Sequence, residues 1–191
     1  MIAILASFLI STNATPRQLV ATCREMVPAN VELSGRLVMR NRRGVSLAEH
    51  DYVLTRTNAQ TRLVVDRSPY DLGKTAGNES ILGTDVTASD LTLEYLWWDD
   101  VSLDSACDGE TVNGQSCAVV VMRKGPRSVR VWIDRKTGAL MQAEELSGEK
   151  AVRRLWGTRI KKFGERWMAN VLEVETLGSG HRTKITVEDL K

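Results

Sequence analysis

The chain has 191 residues, which is enough for one domain with a sizeable hydrophobic core. Its 26 basic and 24 acidic side chains leave a formal net charge of +2. Charge this evenly balanced, with no long block of one sign, gives no reason to expect nucleic acid or an anionic membrane as the main partner.

Residues 1–14 begin with an apolar run that is shorter than the roughly 20 residues a membrane-spanning helix needs. The run fits the core of a secretory signal, with Thr12-Asn13-Ala14 as a small-residue cleavage site, although the first basic residue is only Arg17. The alternative is a buried N-terminal strand or helix. We expect residues 1–14 to be a signal peptide and residues 15–191 to form one secreted domain that does not span a membrane.

Thr15-Pro16 is typical of a helix start, and an apolar stripe follows it as far as Pro28. Beyond this helix the apolar residues alternate, which predicts strands with one buried face. The expected strands cover residues 31–40, 45–56, 61–66, 117–122, 128–134, 139–146, 151–162, 166–177 and 181–190. Residues 69–81 are expected to form a loop. The pattern predicts a mainly β (α+β) fold, an incomplete antiparallel β-barrel or highly curved sheet with short helices as a lid over an apolar cavity.

Residues 83–98 form the most apolar segment between these strands. Ser89 is a candidate N-cap, and Leu91, Tyr95 and Trp98 recur at helical spacing after it. We expect Leu91, Tyr95 and at least one of Trp97 and Trp98 to face the cavity. The alternative is that the tryptophans fill the core.

The strands add further apolar side chains to the same face. Val131 and Ile133 share one face of their strand, and Leu37 lies on the dry face of the first strand. The expected lining of the ligand-binding cavity therefore consists of Leu37, Leu91, Tyr95, Trp97, Trp98, Val131 and Ile133.

Cys107 and Cys117 flank a loop rich in turn residues, including the hairpin pair Asn113-Gly114. If this loop reverses the chain, the two sulfurs can meet, and in an oxidising compartment they are a candidate disulfide. The alternative is two reduced thiols. Cys23 is expected to be a small hydrophobic residue on a helix face.

Catalytic patterns are missing from the sequence. His50 and His181 each lie in a polar context near a turn, where an exposed histidine is more common than a proton shuttle. Arg153-Arg154 is expected on an outward strand face or at a strand end, and the acids between Asp99 and Asp108 in a solvated turn. No nucleophile elbow, phosphate-binding loop, dinucleotide fingerprint or zinc spacing occurs. We expect neither an enzyme nor a protein with a metal or cofactor.

Several phrases of the sequence resemble the outer-membrane lipoprotein-sorting family, the relatives of the LolA and LolB carriers. They are Gly83-Thr84-Asp85, Ser89-Asp90-Leu91, Leu96-Trp97-Trp98, the strand Val129 to Asp134, Asn113-Gly114 before Cys117, Trp167-Met168 and the closing strand from Arg182-Thr183. The likeness covers residue 30 to the end, and it depends on the order of these phrases because no single one is highly specific.

The resemblance implies a periplasmic carrier that holds the acyl chains of lipoproteins or lipids, with an inner-membrane donor and an outer-membrane acceptor protein as partners. It also implies that an arginine on an early strand holds the lid closed, and Arg36, Arg40 and Arg56 lie on early strands. The alternative is a structural or adaptor β-barrel module of the cell envelope whose core is filled by its own side chains.

Overall fold

The computed structural model describes residues 14–57, 60–72, 79–164 and 166–191, with the side chains of Arg166 and Trp167 left out. All but the last residue of the predicted signal peptide lies outside the described residues. None of the described helices is long and apolar enough to cross a membrane.

Twelve antiparallel strands form one sheet that does not close. The order is β4-β3-β2-β1-β12-β11-β10-β9-β8-β7-β5, and the two-residue β6 pairs with β7. Their bounds are β1 Val31–Asn41, β2 Ser46–Arg56, β3 Thr61–Val65, β4 Ser68–Tyr70, β5 Asp100–Leu103, β6 Thr111–Val112, β7 Gln115–Lys124, β8 Arg127–Asp134, β9 Leu140–Ser147, β10 Lys150–Phe163, β11 Arg166–Thr176 and β12 His181–Leu190. The predicted class, a mainly β fold with an incomplete antiparallel barrel and short helices, is confirmed.

Three short strands fall largely where no strand was expected: β4, β5 and the two-residue β6 in the predicted cysteine loop. β4 lies at the start of the predicted loop and pairs with β3. β5 starts inside the predicted acidic turn and pairs with β7. The sequence did not predict these strands because a strand of two to four residues is too short to show an alternating pattern.

Each face of the sheet carries a cluster of buried apolar residues, and the two clusters differ in size. The large core lies on the concave face and includes Leu37, Val131 and Ile133. A small second cluster on the other face contains Cys117, Val119 and Trp132. Trp132 thus lies opposite Val131, as the alternation along β8 requires.

Helix α1, Pro16–Glu25, begins as the sequence predicts. The side chain of Thr15 accepts a hydrogen bond from the backbone of Gln18, whose own side chain bonds back to the backbone of Thr15. This capping box fixes the start of the helix. Its buried face, which includes Leu19 and Cys23, packs into the main core.

Residues 84–98, which we call the lid segment, cover the concave face as two short pieces of helix. Helix α2, Ala88–Thr92, is followed by a 3-10 helix at Glu94–Trp97. The N-cap is Thr87 rather than the predicted Ser89, because the side chain of Thr87 forms a capping box with Asp90. Leu93 has a φ of 55°, a left-handed conformation that ends α2 and turns the chain into the second piece.

Candidate functional site

An open cleft of about 910 Å³ lies beside the lid segment. The end of α1, the start of β3 and the second half of the lid segment surround it, with the tip of β7 at the rim. Its described lining consists of Arg24, Glu25, Val27, Pro28, Ala29, Arg56, Thr57, Gln60, Thr61, Thr92, Glu94, Trp97, Trp98 and Lys124. The lining is mixed, with charged side chains around two tryptophans.

Two arginines connect the lid segment to the rest of the molecule through backbone carbonyls. Arg56, at the end of β2, donates to the carbonyl of Thr92. Arg24, in the last turn of α1, donates to the carbonyls of Leu96 and Trp98, the latter at 3.4 Å. Of the three early-strand arginines that the sequence singled out, Arg56 contacts the lid segment. Burial lowers the pKa of Arg56 from its ordinary value.

The two adjacent tryptophans play different structural parts. Trp97 is 48% exposed and Trp98 only 4%. The Arg56 guanidinium lies 5.6 Å from the ring centre of Trp97, and the Arg127 guanidinium lies 4.9 Å from that of Trp98. Trp98 therefore belongs to the core, whereas Trp97 presents an aromatic surface to the cleft.

Arg127 and Glu94 connect the lid segment to the start of β8 by an ion pair of 2.7 Å. Ser89 joins them, because its hydroxyl donates to Glu94 at 2.7 Å and accepts from Arg127 at 2.8 Å. Burial alone would raise the pKa of Glu94. The hydrogen bonds from Arg127 and Ser89 and the positive charge nearby outweigh it, so that this pKa lies below its ordinary value.

Arg153 makes a second ionic connection, from β10 to α2. Its guanidinium pairs with the nearly buried carboxylate of Asp90, lies 3.0 Å from Glu145 and donates to the carbonyl of Asp85 at 2.7 Å. The side chain is 14% exposed. The expectation that Arg153 points outward is therefore wrong. The reason is that the nearly buried carboxylate of Asp90 lies between the lid segment and the sheet and needs a cation beside it. Its neighbour Arg154 reaches the buried Glu144 at 2.7 Å.

Asp85 fixes the start of the lid segment to β11 and β12. Its buried carboxylate accepts hydrogen bonds from the Thr176 amide at 3.1 Å and the Thr183 hydroxyl at 3.0 Å. The Nδ1 atom of His181 also lies 3.0 Å from it. His181 is thus part of the lid's attachment rather than a loop histidine. His50 lies inside β2 and contacts Asp66 at 2.7 Å.

The predicted cavity-lining residues divide into two groups. Leu37, Leu91, Tyr95, Val131 and Ile133 are buried in one core cluster, together with Leu93 and Leu96 of the lid segment. The described gaps among them are small, about 20 Å³ beside Tyr95 and about 10 Å³ beside Leu91. Trp98 belongs to the same cluster and also borders the large cleft, whereas Trp97 lies outside the cluster and lines the cleft. In this closed form the lid's own side chains occupy the concave face.

Cys23, Cys107 and Cys117 are not bonded to one another in this structure. Cys107 packs against the outer cluster that contains Cys117. Burial raises the pKa of Cys117 to about 11 and that of Cys23 to about 12. Two acids of the predicted acidic turn are paired, Asp104 with Arg130 at 2.7 Å and Asp108 with Arg135 at 2.6 Å.

Sequence reasoning missed Arg24, Arg127 and Arg153 as residues of this site. A signal exists for two of them, because a strand places every second residue on the same face. Arg127 precedes Val129 at that spacing, and Arg153 precedes Leu155. An arginine that shares a strand face with buried residues indicates that the segment covering this face supplies an acidic partner.

The fold and cleft define a class: an incomplete antiparallel barrel whose concave face is covered by a short helical lid. A family model described as "Uncharacterized protein" matches residues 67–191, more than half of the chain, and the chain belongs to that family. No curated protein matches the sequence.

Solved structures show the same architecture. A LolA superfamily protein from Nitrosomonas europaea is 10% identical, with a TM-score of 0.70 and coverage of 93% of both chains. A DUF1329 family protein from Desulfovibrio piger is 14% identical, with a TM-score of 0.69 and the same coverage. An outer membrane lipoprotein-sorting protein domain from Vibrio parahaemolyticus is 12% identical, with a TM-score of 0.68 over 90% of this chain and 91% of that one. At such identities the likeness establishes the fold, and the predicted resemblance to the lipoprotein-sorting fold is confirmed.

Proposed function

We propose that this protein is a non-catalytic periplasmic carrier that takes the acyl chains of lipoproteins or lipids beneath its lid segment, for sorting to the outer membrane. The observation that carries the proposal is how the lid segment is attached. Its apolar side chains, Leu91, Leu93 and Leu96 among them, fill the concave face, while arginines hold its backbone carbonyls and acidic side chains by polar contacts. Such a cover can be exchanged for another apolar group.

The magnitudes support reversible exchange. Burying an acyl chain of about 16 carbons contributes roughly 12 kcal/mol, at about 0.8 kcal/mol per methylene. Uncovering the five large apolar side chains of the lid, the three leucines, Tyr95 and Trp98, costs about 8 to 15 kcal/mol. Because the two quantities are similar, a chain can enter and can also be released, as a carrier requires.

One observation favours a second candidate, a structural or adaptor module with a filled core. The described gaps inside the closed molecule, about 20 and 10 Å³, hold no acyl chain. The two candidates differ in what the lid segment does. In a carrier it is displaced by a ligand, and in an adaptor it stays in place as part of the core.

Acyl binding to lid variants separates the candidates. Leu96→Ala weakens the lid's hold on the core and should increase the affinity for a fluorescent fatty-acyl probe. Val119→Ala, equally buried but in the outer cluster, is the matched control and should leave probe binding unchanged. Native mass spectrometry of protein purified from a periplasm should also find bound lipid. Failure of the wild type and of Leu96→Ala to bind the probe, together with a lipid-free mass, contradicts the carrier.

A further inference from the structure

The arginines that line the cleft beside the lid segment donate their hydrogen bonds to neutral groups. Arg24 and Arg56 both donate to backbone carbonyls, and no carboxylate in the described residues pairs with either. Lys124 lies exposed at the same rim. Of the two acids in the lining, Glu94 is already paired with Arg127. Glu25 is the other, and it stands against the three cations Arg24, Arg56 and Lys124, so the cleft has an excess of cationic groups although the whole chain is nearly neutral.

Arg56 is the centre of this excess. Its Nη1 is shielded from solvent and has no hydrogen-bond partner in the part of the chain that the structure describes. A buried donor without a partner costs free energy, and a guanidinium is shaped to bind two oxygens of a phosphate at once. Burial without a compensating carboxylate is also why the pKa of Arg56 is lowered.

Trp97 packs against this guanidinium. Its ring lies over Arg56 at 5.6 Å, lines the cleft and is half exposed. Since Trp97 belongs to the same lid segment whose carbonyls Arg24 and Arg56 hold, lifting the segment frees both arginines and uncovers them together. An anion that binds them would take the place of the lid's carbonyls.

We infer that Arg56, Arg24 and Lys124 form an anion site for the phosphate group of an amphiphile whose acyl chains lie beneath the lid segment. The inference rests on the proposed function and narrows it to phosphate-bearing lipids. The acyl chains would lie on the concave face that Leu93 and Leu96 occupy in the closed form. The phosphate would remain in the cleft, where its charge is close to water.

The test measures, by calorimetry, the binding of three probes to the full chain: dihexanoyl phosphatidylglycerol, dihexanoylglycerol without phosphate, and inorganic phosphate. The phosphate-bearing lipid should bind on the order of tenfold more tightly than dihexanoylglycerol, as expected for a charge-assisted hydrogen bond. The preference should shrink at high salt. Arg56→Gln should abolish it, Arg56→Lys should retain part of it, and Arg40→Gln, exposed on β1, should leave it intact.

Each other outcome has a distinct meaning. Equal binding of the two lipids overturns the anion site and leaves the carrier function standing. Binding of neither lipid overturns the carrier function and with it the inference. If inorganic phosphate binds as tightly as the phospholipid, and Arg56→Gln loses that binding, the anion site stands. Its ligand is then free phosphate rather than the headgroup of a lipid. Should Arg56→Gln fail to fold, Lys124→Gln replaces it, and an unchanged preference in that variant counts against the site.

Discussion

Arg153 on β10 and Asp90 in α2 form an ion pair in which the two side chains are 14% and 9% exposed. The pair connects the sheet to the lid segment at a place that water hardly reaches. Asp90 also accepts from the backbone amide of Thr87 at 2.7 Å, so the same carboxylate caps α2 and attaches it. The start of the lid helix and its position on the sheet therefore depend on one residue.

Replacing Arg153 by Met should destabilise the protein by about 3 to 5 kcal/mol, since it leaves the Asp90 carboxylate buried without its partner. Urea unfolding monitored by circular dichroism measures the change. Arg36→Ala is the matched control. Arg36 pairs with Glu49 and Glu188, but all three side chains are about half exposed, so its loss should cost about 1 kcal/mol or less. Equal effects of the two substitutions would contradict the structural role given to Arg153.

Most strands could be predicted because one face of each strand is more apolar than the other. Along β1, buried residues alternate with more exposed ones as far as Leu37, and along β8 the alternation places Val131 in the main core and Trp132 in the outer cluster. Thr15-Pro16 marks the start of α1 correctly. Such elements depend on local sequence, so their bounds can be read without knowing what they pack against.

The lid segment was only partly predictable. Its apolar character indicates a cover, but Leu93 adopts a left-handed conformation that no helical period reveals, and Thr87 rather than Ser89 is the N-cap. The positions of Arg56, Arg153 and Asp85 depend on contacts between segments 36 to 98 residues apart. Those contacts follow from the curvature of the sheet, which alternation does not encode.

Acid should loosen the lid segment through Glu94. The pKa of this residue is lowered in the folded protein, so its ion pair with Arg127 stabilises the fold above the ordinary value of 4.5 and is lost as pH falls through the lower folded value. Wild type should therefore be more stable than Glu94→Gln at pH 7, and the difference should shrink below about pH 4. Urea unfolding of both proteins across this range measures it. A difference that stays constant with pH would show that Glu94 acts by packing rather than by charge.

Gly35 should tolerate no side chain. It lies at a register shift in the pairing of β1 with β12, and a Cβ there would come within 1.8 Å of the Thr186 carbonyl oxygen. Because backbone would have to move, Gly35→Ala should lower the free energy of unfolding by more than about 3 kcal/mol. Gly44→Ala is the control, since its Cβ would meet nothing within 4 Å and only its φ of 80° opposes the change, at a cost of about 1 kcal/mol. Similar losses at both positions would refute the close approach at Gly35.

Trp97 and Trp98 should separate surface from core in a single experiment. Trp98→Ala should cost about 3 to 5 kcal/mol because it empties a buried site, whereas Trp97→Ala should change the free energy of unfolding by less than about 1 kcal/mol. Acrylamide quenching provides a second measure. Trp97→Phe should remove more of the quencher-accessible fluorescence than Trp98→Phe. The reverse order would mean that the lid segment presents its other tryptophan to the cleft.

The pairing of Cys107 with Cys117 stays a prediction that thiol titration can test. Protein purified from a periplasm and unfolded in denaturant should react with a thiol reagent at Cys23 alone if the other two are bonded. Cys107→Ser should then lower the free energy of unfolding by about 3 kcal/mol under oxidising conditions, because the closed loop no longer limits the unfolded chain. The difference should largely disappear with a reductant, since Cys107 is only partly buried and its replacement by Ser loses little packing. Titration of all three cysteines in the periplasmic protein would instead establish Cys107 and Cys117 as two reduced thiols packed at the outer cluster.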